Sequence, residues 1–359
     1  MLFTVYAKLL YFFRDFWPFI ILATVFFLLF VFGIYFVFKS RTSENKKKAL
    51  LVFITFLCFS VFVFTGFEAY FRYRFDESDS LGFLKVTGKW YERHVVANNY
   101  QYRDRDFSQE KKAGVTRIGI VGDSMTFGYG IKKPENRFSN LLEKKLLDSG
   151  RNVEVYNLGK SGYDTWNEIG EFQKIKHLKF DIVIWQYFLN DAEPPKSRGT
   201  PVLERERVQG KLARVITDSS YFFDYIYWRL ESRYEKTFNE LRNADIAAYH
   251  DPKNFAEHQK KVAEFASLLK GDDRKVIVIV FPFFKFLPDN PLSDMYPKIL
   301  QMFKDNELPV IDLYQDMKTK NAKDILVSRY DYHPNELVQI IIADRLYDTI
   351  APMIPASKK

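Results

Sequence analysis

Ile118-Gly119-Ile120-Val121-Gly122-Asp123-Ser124-Met125-Thr126-Phe127-Gly128-Tyr129-Gly130 is the stretch that decides the fold of this chain. Its first four residues form an apolar run of the kind seen in parallel strands that are buried on both faces. The run ends in Gly-Asp-Ser, and a helical pattern begins near Arg137. Open α/β sheets present reactive groups at the carboxyl ends of their strands, so Ser124 stands where a nucleophile could stand. By itself the tripeptide favours a plain strand-to-loop turn, for which Gly, Asp and Ser are ordinary residues.

From residue 117 onward, apolar runs alternate with helical patterns, which indicates a parallel sheet with helices on both faces. The predicted strands cover residues 117–121, 153–156, 182–186, 276–281 and 310–312. The predicted helices cover residues 138–148, 166–177, 255–270, 295–304 and 336–350. The sequence therefore predicts an α/β fold, a three-layer α/β/α sandwich around a mostly parallel five-stranded sheet.

Three further blocks follow in chain order, each after a predicted strand or before the last helix. They are Asn157-Leu158-Gly159-Lys160-Ser161-Gly162-Tyr163, Asn190-Asp191 and Asp331-Tyr332-His333-Pro334-Asn335. Together with Gly122-Asp123-Ser124 they resemble the four sequence blocks of the SGNH (GDSL-type) hydrolases, over roughly residues 98–350. The resemblance implies an SGNH hydrolase fold, which is flavodoxin-like, and serine-based cleavage of esters.

These blocks supply a nucleophile and a base for acyl transfer. A serine hydroxyl is a weak nucleophile until a positioned base takes its proton. His333 is the natural base for Ser124, and Asp331 is the candidate to orient His333 and to stabilise its protonated form, as in serine triads generally. The blocks contain one histidine and no ligand spacing of a zinc or two-metal site, so we expect neither a metal nor a cofactor.

Acyl transfer also requires donors for the oxyanion that forms on the substrate. By resemblance, the oxyanion hole uses the backbone N–H groups of Ser124 and Gly162 and the side chain of Asn190. Gly159 is the alternative glycine; Gly162 is preferred because it matches the second glycine of the family's Asn-x-Gly-x-x-Gly pattern. We expect the aspartates that neighbour Ser124 and Asn190 to order their turns and not to act on the substrate.

Two positions depart from the family pattern. The third block usually reads Gly-x-Asn-Asp, and here Phe188 replaces the glycine. We expect Phe188 to narrow the site or to change the path of its loop. The final block usually has two residues between Asp and His, whereas Tyr332 alone separates Asp331 from His333. This shorter spacing concerns Asp331, the candidate third member of the triad, and not Ser124 or His333.

Two long stretches without a charged residue, residues 17–38 and 49–67, lie near the start of the chain. A membrane-spanning helix needs about 20 apolar residues. We interpret both stretches as transmembrane helices of an anchor that covers residues 1–71; a buried core helix is the alternative. A cleaved signal peptide fits less well, because its apolar region would be about 7–15 residues long.

The loop between these helices, residues 39–48, carries five Lys or Arg residues and one Glu. Short loops rich in Lys and Arg stay in the cytoplasm. The sequence therefore predicts a cell-membrane protein with two spans and an extracytoplasmic catalytic domain.

The net charge of +8 forms no stripe suited to a nucleic-acid groove, so no nucleic-acid partner is expected. Cys58 is the single cysteine and excludes an intrachain disulfide.

The rest of the chain divides around the hydrolase pattern. Residues 72–115 are rich in aromatic side chains, and we expect them to connect the anchor to the domain of residues 116–359 and to pack on it. Residues 98–104 resemble a segment that precedes the Gly-Asp-Ser block in membrane-linked members of the family. Residues 193–251 are an insert, since most loops run about 4–6 residues. Its aromatic stretch 221–229 is predicted to be a helix, either a lid or docking element or a structural helix packed on the sheet.

The leading functional hypothesis is a membrane-anchored serine esterase that acts outside the cytoplasm on O-acyl esters, above all O-acetyl esters, of a glycan or lipid. The chain resembles members linked to polysaccharide O-acylation. The first alternative is an O-acyltransferase that works with a multispanning acyltransferase partner, because a sugar hydroxyl can release an acyl group from Ser124 as water can. The second alternative is a non-catalytic docking or assembly protein that uses residues 221–229 and the transmembrane hairpin.

Overall fold

The apolar runs form one parallel sheet in the computed structural model, which describes residues 2–192, 208, 210–230 and 233–356. In that part of the chain the sheet has five strands, which are β1 (Thr116–Gly122), β2 (Val153–Gly159), β3 (Ile182–Phe188), β4 (Lys275–Phe281) and β5 (Val310–Asp312). Their spatial order is β2-β1-β3-β4-β5, and every neighbouring pair is parallel. This is the flavodoxin-like order, so the predicted fold class is confirmed.

Helices precede, connect and follow the strands of the sheet. The helices are α1 (Leu2–Lys39), α2 (Glu44–Tyr73), α3 (Lys85–His94), α4 (Ser124–Phe127), α5 (Phe138–Asp148), α6 (Thr165–Ile175), α7 (Lys211–Ser219), α8 (Tyr221–Leu230), α9 (Arg233–His250), α10 (Pro252–Lys270), α11 (Tyr296–Asp305), α12 (Tyr314–Met317), α13 (Ala322–Ile325) and α14 (Glu336–Ile350). Helix α5 packs on α14 and β2, whereas α10 packs on α6, α9 and α11. The result is a three-layer α/β/α sandwich.

The strand order determines where the sheet opens. Because β1 lies between β2 and β3, the crossover helices α5 and α6 lie on opposite faces. Such a switch point leaves a crevice between the carboxyl ends of β1 and β3, where ligands bind in open α/β sheets. The Gly-Asp-Ser block stands directly at that end of β1.

The unit that contains the sheet begins before the hydrolase pattern. It comprises Glu77–Gln209 and Trp228–Lys359. In its first part, Val86 and Trp90 of α3 are fully buried. Of the predicted insert, residues 193–207, 209, 231 and 232 lie outside the described residues.

The other unit comprises Met1–Asp76 and Gly210–Tyr227. Its segments Phe16–Lys39 and Glu44–Tyr73 are long and apolar enough to cross a membrane. Many large apolar side chains along them are exposed, for example Phe38 at 75% and Val52 at 69%. Within this unit the buried carboxylate of Glu68 accepts hydrogen bonds from the Ser220 hydroxyl and from two backbone N–H groups at the start of α8. Glu68 therefore caps the aromatic helix that the sequence predicts.

Candidate active site

The nucleophile candidate sits on a tight turn between β1 and α4. The Oδ1 atom of Asp123 accepts the backbone N–H of Met125 at 2.8 Å and so caps α4. Gly122 is required beneath this turn, because a Cβ there would lie 2.4 Å from both Gln186 Oε1 and Thr126 Oγ1. Asp123 thus orders the turn, and Ser124 is left at the mouth of the crevice.

Ser124, His333 and Asp331 form a hydrogen-bonded chain. The Oγ atom of Ser124 lies 2.8 Å from Nε2 of His333, and Nδ1 of His333 lies 2.6 Å from Oδ1 of Asp331. The backbone N–H of His333 also donates to Oδ1 of Asp331 at 3.1 Å. The spacing of one residue between Asp331 and His333 therefore permits the contact that a triad requires. With its proton on Nδ1, His333 presents Nε2 as an acceptor for the Ser124 hydroxyl.

Groups from elsewhere in the chain enclose Asp331, which is fully buried. The Ser80 hydroxyl lies 3.4 Å from Asp331 Oδ1 and accepts the Tyr332 backbone N–H at 2.7 Å. Gly130 has a φ of +83°, and a Cβ there would lie 2.8 Å from Asp331 Oδ2. Ser80 thus ties down the loop that carries Asp331, and Gly130 leaves the space that the Asp331 carboxylate occupies.

Three potential donors converge on the crevice. No hydrogen bond joins the backbone N–H of Ser124, the backbone N–H of Gly162 or the side-chain amide nitrogen of Asn190 to another described residue. Gly162 has a φ of +78° and open space where a Cβ would be. Gly159, the alternative glycine, packs against the nucleophile turn instead, because a Cβ there would lie 2.2 Å from the Phe127 nitrogen.

These groups line one cavity of about 330 Å³. Its lining residues are Ser80, Leu81, Gly82, Ser124, Met125, Tyr129, Ser161, Gly162, Phe188, Asn190, Phe238, Leu241, Arg242, Tyr332 and His333. Phe188 does face the site, as the departure from the family pattern predicts. A larger depression of about 550 Å³ beside Lys132 and Lys133 contains neither Ser124 nor His333, so volume does not locate the chemistry.

Buried carboxyl groups lie beneath the nucleophile turn. Burial raises the pKa of Asp123 to about 6, against the lowering effects of the Met125 N–H and of His333. Burial also raises the pKa of Glu168 and of Asp191 well above the ordinary range; the Asp123 carboxyl raises both further, and the Glu168 carboxyl adds to the rise at Asp191. Asp191 orders the turn after β3, where its Oδ2 accepts the Phe188 N–H at 2.9 Å.

The remaining histidines lie outside this cavity. His258 is fully buried, with its Nε2 2.8 Å from the Tyr187 hydroxyl, and burial lowers its pKa to about 3. His250 pairs with Asp294 on the surface. Among the described residues there is no cluster of three or more His, Cys, Asp or Glu side chains that could hold a metal ion.

Comparison with known proteins identifies the family. The sequence model of the GDSL-like lipase/acylhydrolase family matches residues 120–339, which is more than half of the chain. The chain belongs to this family. It is therefore an ester-hydrolysing enzyme, and the resemblance inferred from the four blocks is confirmed. No curated protein matches the sequence.

Solved structures similar to this acylhydrolase include three esterases or lipases. The lipase/acylhydrolase from Enterococcus faecalis is 15% identical, with a TM-score of 0.44, over 68% of this chain and 100% of that one. A psychrotrophic esterase from Pseudoalteromonas sp. is 16% identical, with a TM-score of 0.42, over 66% and 98%. An acetylxylan esterase from Geobacillus stearothermophilus is 12% identical, with a TM-score of 0.42, over 68% and 96%.

The acylhydrolase site also contains residues that the sequence does not predict. The buried guanidinium of Arg103 donates to the carbonyl oxygens of Gly128 at 2.7 Å and Ile131 at 2.6 Å. It thereby fixes the loop that follows α4. The resemblance of residues 98–104 to membrane-linked relatives was a signal for this segment, but it did not give the role of Arg103. Ser80 and Arg242 carry no motif at all.

Proposed function

We propose that this acylhydrolase is a membrane-anchored serine esterase that removes O-acetyl groups from a glycan outside the cytoplasm. The observation that carries the proposal is the hydrogen-bonded chain from Ser124 through His333 to Asp331, which opens into a cavity with three free donors. A serine with a positioned base and an oxyanion site has what acyl transfer requires.

The geometry supports a two-step reaction. In the first step Ser124 Oγ attacks the acyl carbonyl while His333 Nε2 takes the hydroxyl proton. The tetrahedral oxyanion accepts hydrogen bonds from the Ser124 and Gly162 N–H groups and from the Asn190 amide. Collapse of this intermediate breaks the ester C–O bond, and His333 returns the proton to the leaving alcohol. In the second step water attacks the acyl-enzyme with His333 as base, which releases the acid and restores Ser124.

The acyl group is proposed to be small because Phe188 occupies space in a cavity that is itself small. Phe188 replaces a glycine beside Asn190, and its ring meets that of Phe283 edge-on with centroids 5.3 Å apart. A cavity of about 330 Å³ is at the low end of the range for ligand pockets. An acetyl group with part of a sugar fits this volume, whereas a long acyl chain would need further space.

The extracytoplasmic location rests on the hairpin of α1 and α2. Phe16–Lys39 and Glu44–Tyr73 each have the length and hydropathy of a span. The basic residues of the 39–48 stretch lie in the last turn of α1, the short connection and the first turns of α2. Retention of basic loops in the cytoplasm leaves the catalytic unit on the opposite side. Acetylated polysaccharides outside the cytoplasm are then within reach, and an acyl-CoA pool is not.

The reaction is tested with the full-length protein in detergent, given an O-acetylated oligosaccharide. We expect free acetate as the product, and none from a Ser124→Ala variant. Acetylated acceptor sugar formed at the expense of free acetate would instead establish a transferase. No acetate and no transfer from any acetyl ester would overturn the proposed function.

The topology is tested separately, in a Cys58→Ser background. A cysteine at Asn45 should resist an impermeant thiol reagent in intact cells, and a cysteine at the exposed Lys112 should react. The opposite pattern would place the catalytic unit in the cytoplasm and would remove the extracytoplasmic part of the proposal.

A further inference from the structure

The cavity that holds Ser124 also contains a permanent cation. Arg242 lies on α9, in the insert, and its side chain lines the cavity and is 13% exposed. Ester cleavage by the triad requires no such group. The described lining residues include no Asp or Glu; Asp245, which pairs with Arg242, lies outside this lining.

Three aromatic rings hold this guanidinium in place. Its Cζ atom lies 5.7 Å from the ring centroid of Phe188, 5.4 Å from that of Phe238 and 5.3 Å from that of Phe283. Contacts of this kind are favourable between a guanidinium and a ring face. Phe188 is the residue that replaces the family's glycine, so the same departure that narrows the site also helps to seat the cation.

The polar partners of Arg242 leave part of its hydrogen-bonding capacity unused. Asp245, one turn further along α9, lies 2.5 Å from Nη1. The Nε atom is buried and has no hydrogen-bond partner among the described residues. A guanidinium has five N–H donors, arranged in a fork that matches carboxylate and phosphate oxygens. Among the described residues Asp245 contacts Nη1 alone, so other N–H donors of the Arg242 guanidinium are left without an acceptor.

We propose that Arg242 binds an anionic group of the substrate, a carboxylate or a phosphate close to the scissile ester. The enzyme then prefers acetyl esters of acidic sugars or sugar phosphates to those of neutral sugars. This inference rests on the proposed esterase function and adds the charge of its substrate. The rings hold the guanidinium before the ligand arrives, and such preorganisation favours binding. Asp245 anchors one end of the fork and weakens the field of the cation.

The test compares matched pairs of acetyl esters with the full-length protein in detergent. One pair is an O-acetylated hexuronate oligomer and its neutral methyl ester; the other is acetylated glucose 6-phosphate and acetylated glucose. The measured quantity is the ratio of kcat/KM for the anionic ester to that for its neutral partner. We expect Arg242→Gln to lower this ratio by about 10- to 100-fold, the range for a hydrogen bond to a charged group. The pair that responds identifies the anion.

Three further variants separate binding from structure. Lys236→Gln removes the same charge from the same helix at a side chain that is 66% exposed, and it should leave the ratio unchanged. Asp245→Asn should raise the ratio, because the field of the cation is no longer partly cancelled. Arg242→Lys keeps the charge and loses the fork, so it should fall between wild type and Arg242→Gln; it also serves if Arg242→Gln does not fold.

The outcomes distinguish this inference from the proposed function. If both esters of each pair are cleaved and no Arg242 variant changes either ratio, the anion subsite is wrong and the esterase stands. If wild type cleaves neither ester of either pair, the esterase function itself fails, and the subsite fails with it.

Discussion

Two regions of the molecule contribute different things to one cavity. The first is the carboxyl ends of the strands, here called the edge; the second is the segments before α3 and on α9, here called the cover. From the edge come Ser124, Gly162 and Asn190, which stand at or next to strand ends and line the cavity. From the cover come Ser80, which lies before α3, and Arg242 of α9. In the proposed mechanism the edge determines the type of reaction. In the same proposal the cover aligns Asp331 and sets the charge that a substrate meets.

The largest effects on turnover should come from Ser124, at the edge, and from His333, its candidate base. We expect Ser124→Ala and His333→Ala each to reduce ester turnover by about 10⁴- to 10⁶-fold, because neither a nucleophile without its hydroxyl nor a hydroxyl without its base can attack. Initial rates with p-nitrophenyl acetate measure the loss. Ser293→Ala, at an exposed serine, is the control. Wild-type turnover by the Ser124 variant would place the chemistry elsewhere.

The oxyanion donor should rank second. Asn190→Ala removes one donor and should reduce kcat by about 10²- to 10³-fold. Asn190→Asp keeps the shape but replaces the donor by an acceptor, so it should be impaired at least as strongly. Single-turnover acylation rates of the two variants test the ordering. If Asn190→Asp were the more active, Asn190 would not be an oxyanion donor.

A smaller loss of turnover should follow when Ser80, in the cover, no longer ties down the Asp331 loop. Ser80→Ala removes the hydroxyl that accepts the Tyr332 N–H at 2.7 Å, so the Asp331 loop loses one tie. We expect kcat to fall by about tenfold or less, as for one neutral hydrogen bond, with KM little changed. The control is Ser78→Ala, at a buried serine of the same segment. Equal losses in both variants would mean that the segment acts only through packing.

The smallest effect on turnover, but a clear effect on stability, is expected when Glu168 is replaced. Burial raises the pKa of Glu168 above its ordinary 4.5, and Asp123 adds to the rise. The unfolded chain releases this proton at a lower pH than the folded chain, so the folded state loses stability as pH rises above that value. Glu168→Gln removes this effect and can still accept the Trp185 indole N–H, which lies 2.9 Å from Glu168 Oε2.

The Tm of Glu168→Gln should therefore equal that of wild type below about pH 4 and exceed it at neutral pH, by about 2–4 °C for each kcal/mol regained. Melting curves across that pH range give the comparison. A variant that is less stable than wild type at pH 7 would show that burial of the ionisable Glu168 carboxyl does not destabilise the folded state.

The sequence predicts the edge well because its signals are local. A buried strand, a glycine turn and a polar block occur within about a dozen residues of one another, as at 118–130. Parallel strands then bring four distant blocks to the same end of the sheet. The five predicted strands and both long apolar helices are present, although β2 continues to Gly159, three residues beyond its predicted end.

The cover could not be predicted from local signals. Ser80 and Asp331 are 251 residues apart in sequence, and no motif surrounds Ser80. Arg242 is one charge among many on a polar helix, and only packing against Phe188 and two other rings distinguishes it. The division into anchor, connecting segment and hydrolase domain, the triad and oxyanion roles, and the topology remain predictions.

The most direct test of the central claim, that His333 activates Ser124, is covalent labelling with a fluorophosphonate followed by peptide mass mapping. Wild type should gain one phosphonyl group, located on Ser124, and His333→Ala should label at least about a hundredfold more slowly, since general-base help is worth about 10²- to 10⁴-fold. Labelling of another residue, or an equal rate of labelling at Ser124 in both proteins, would contradict the claim.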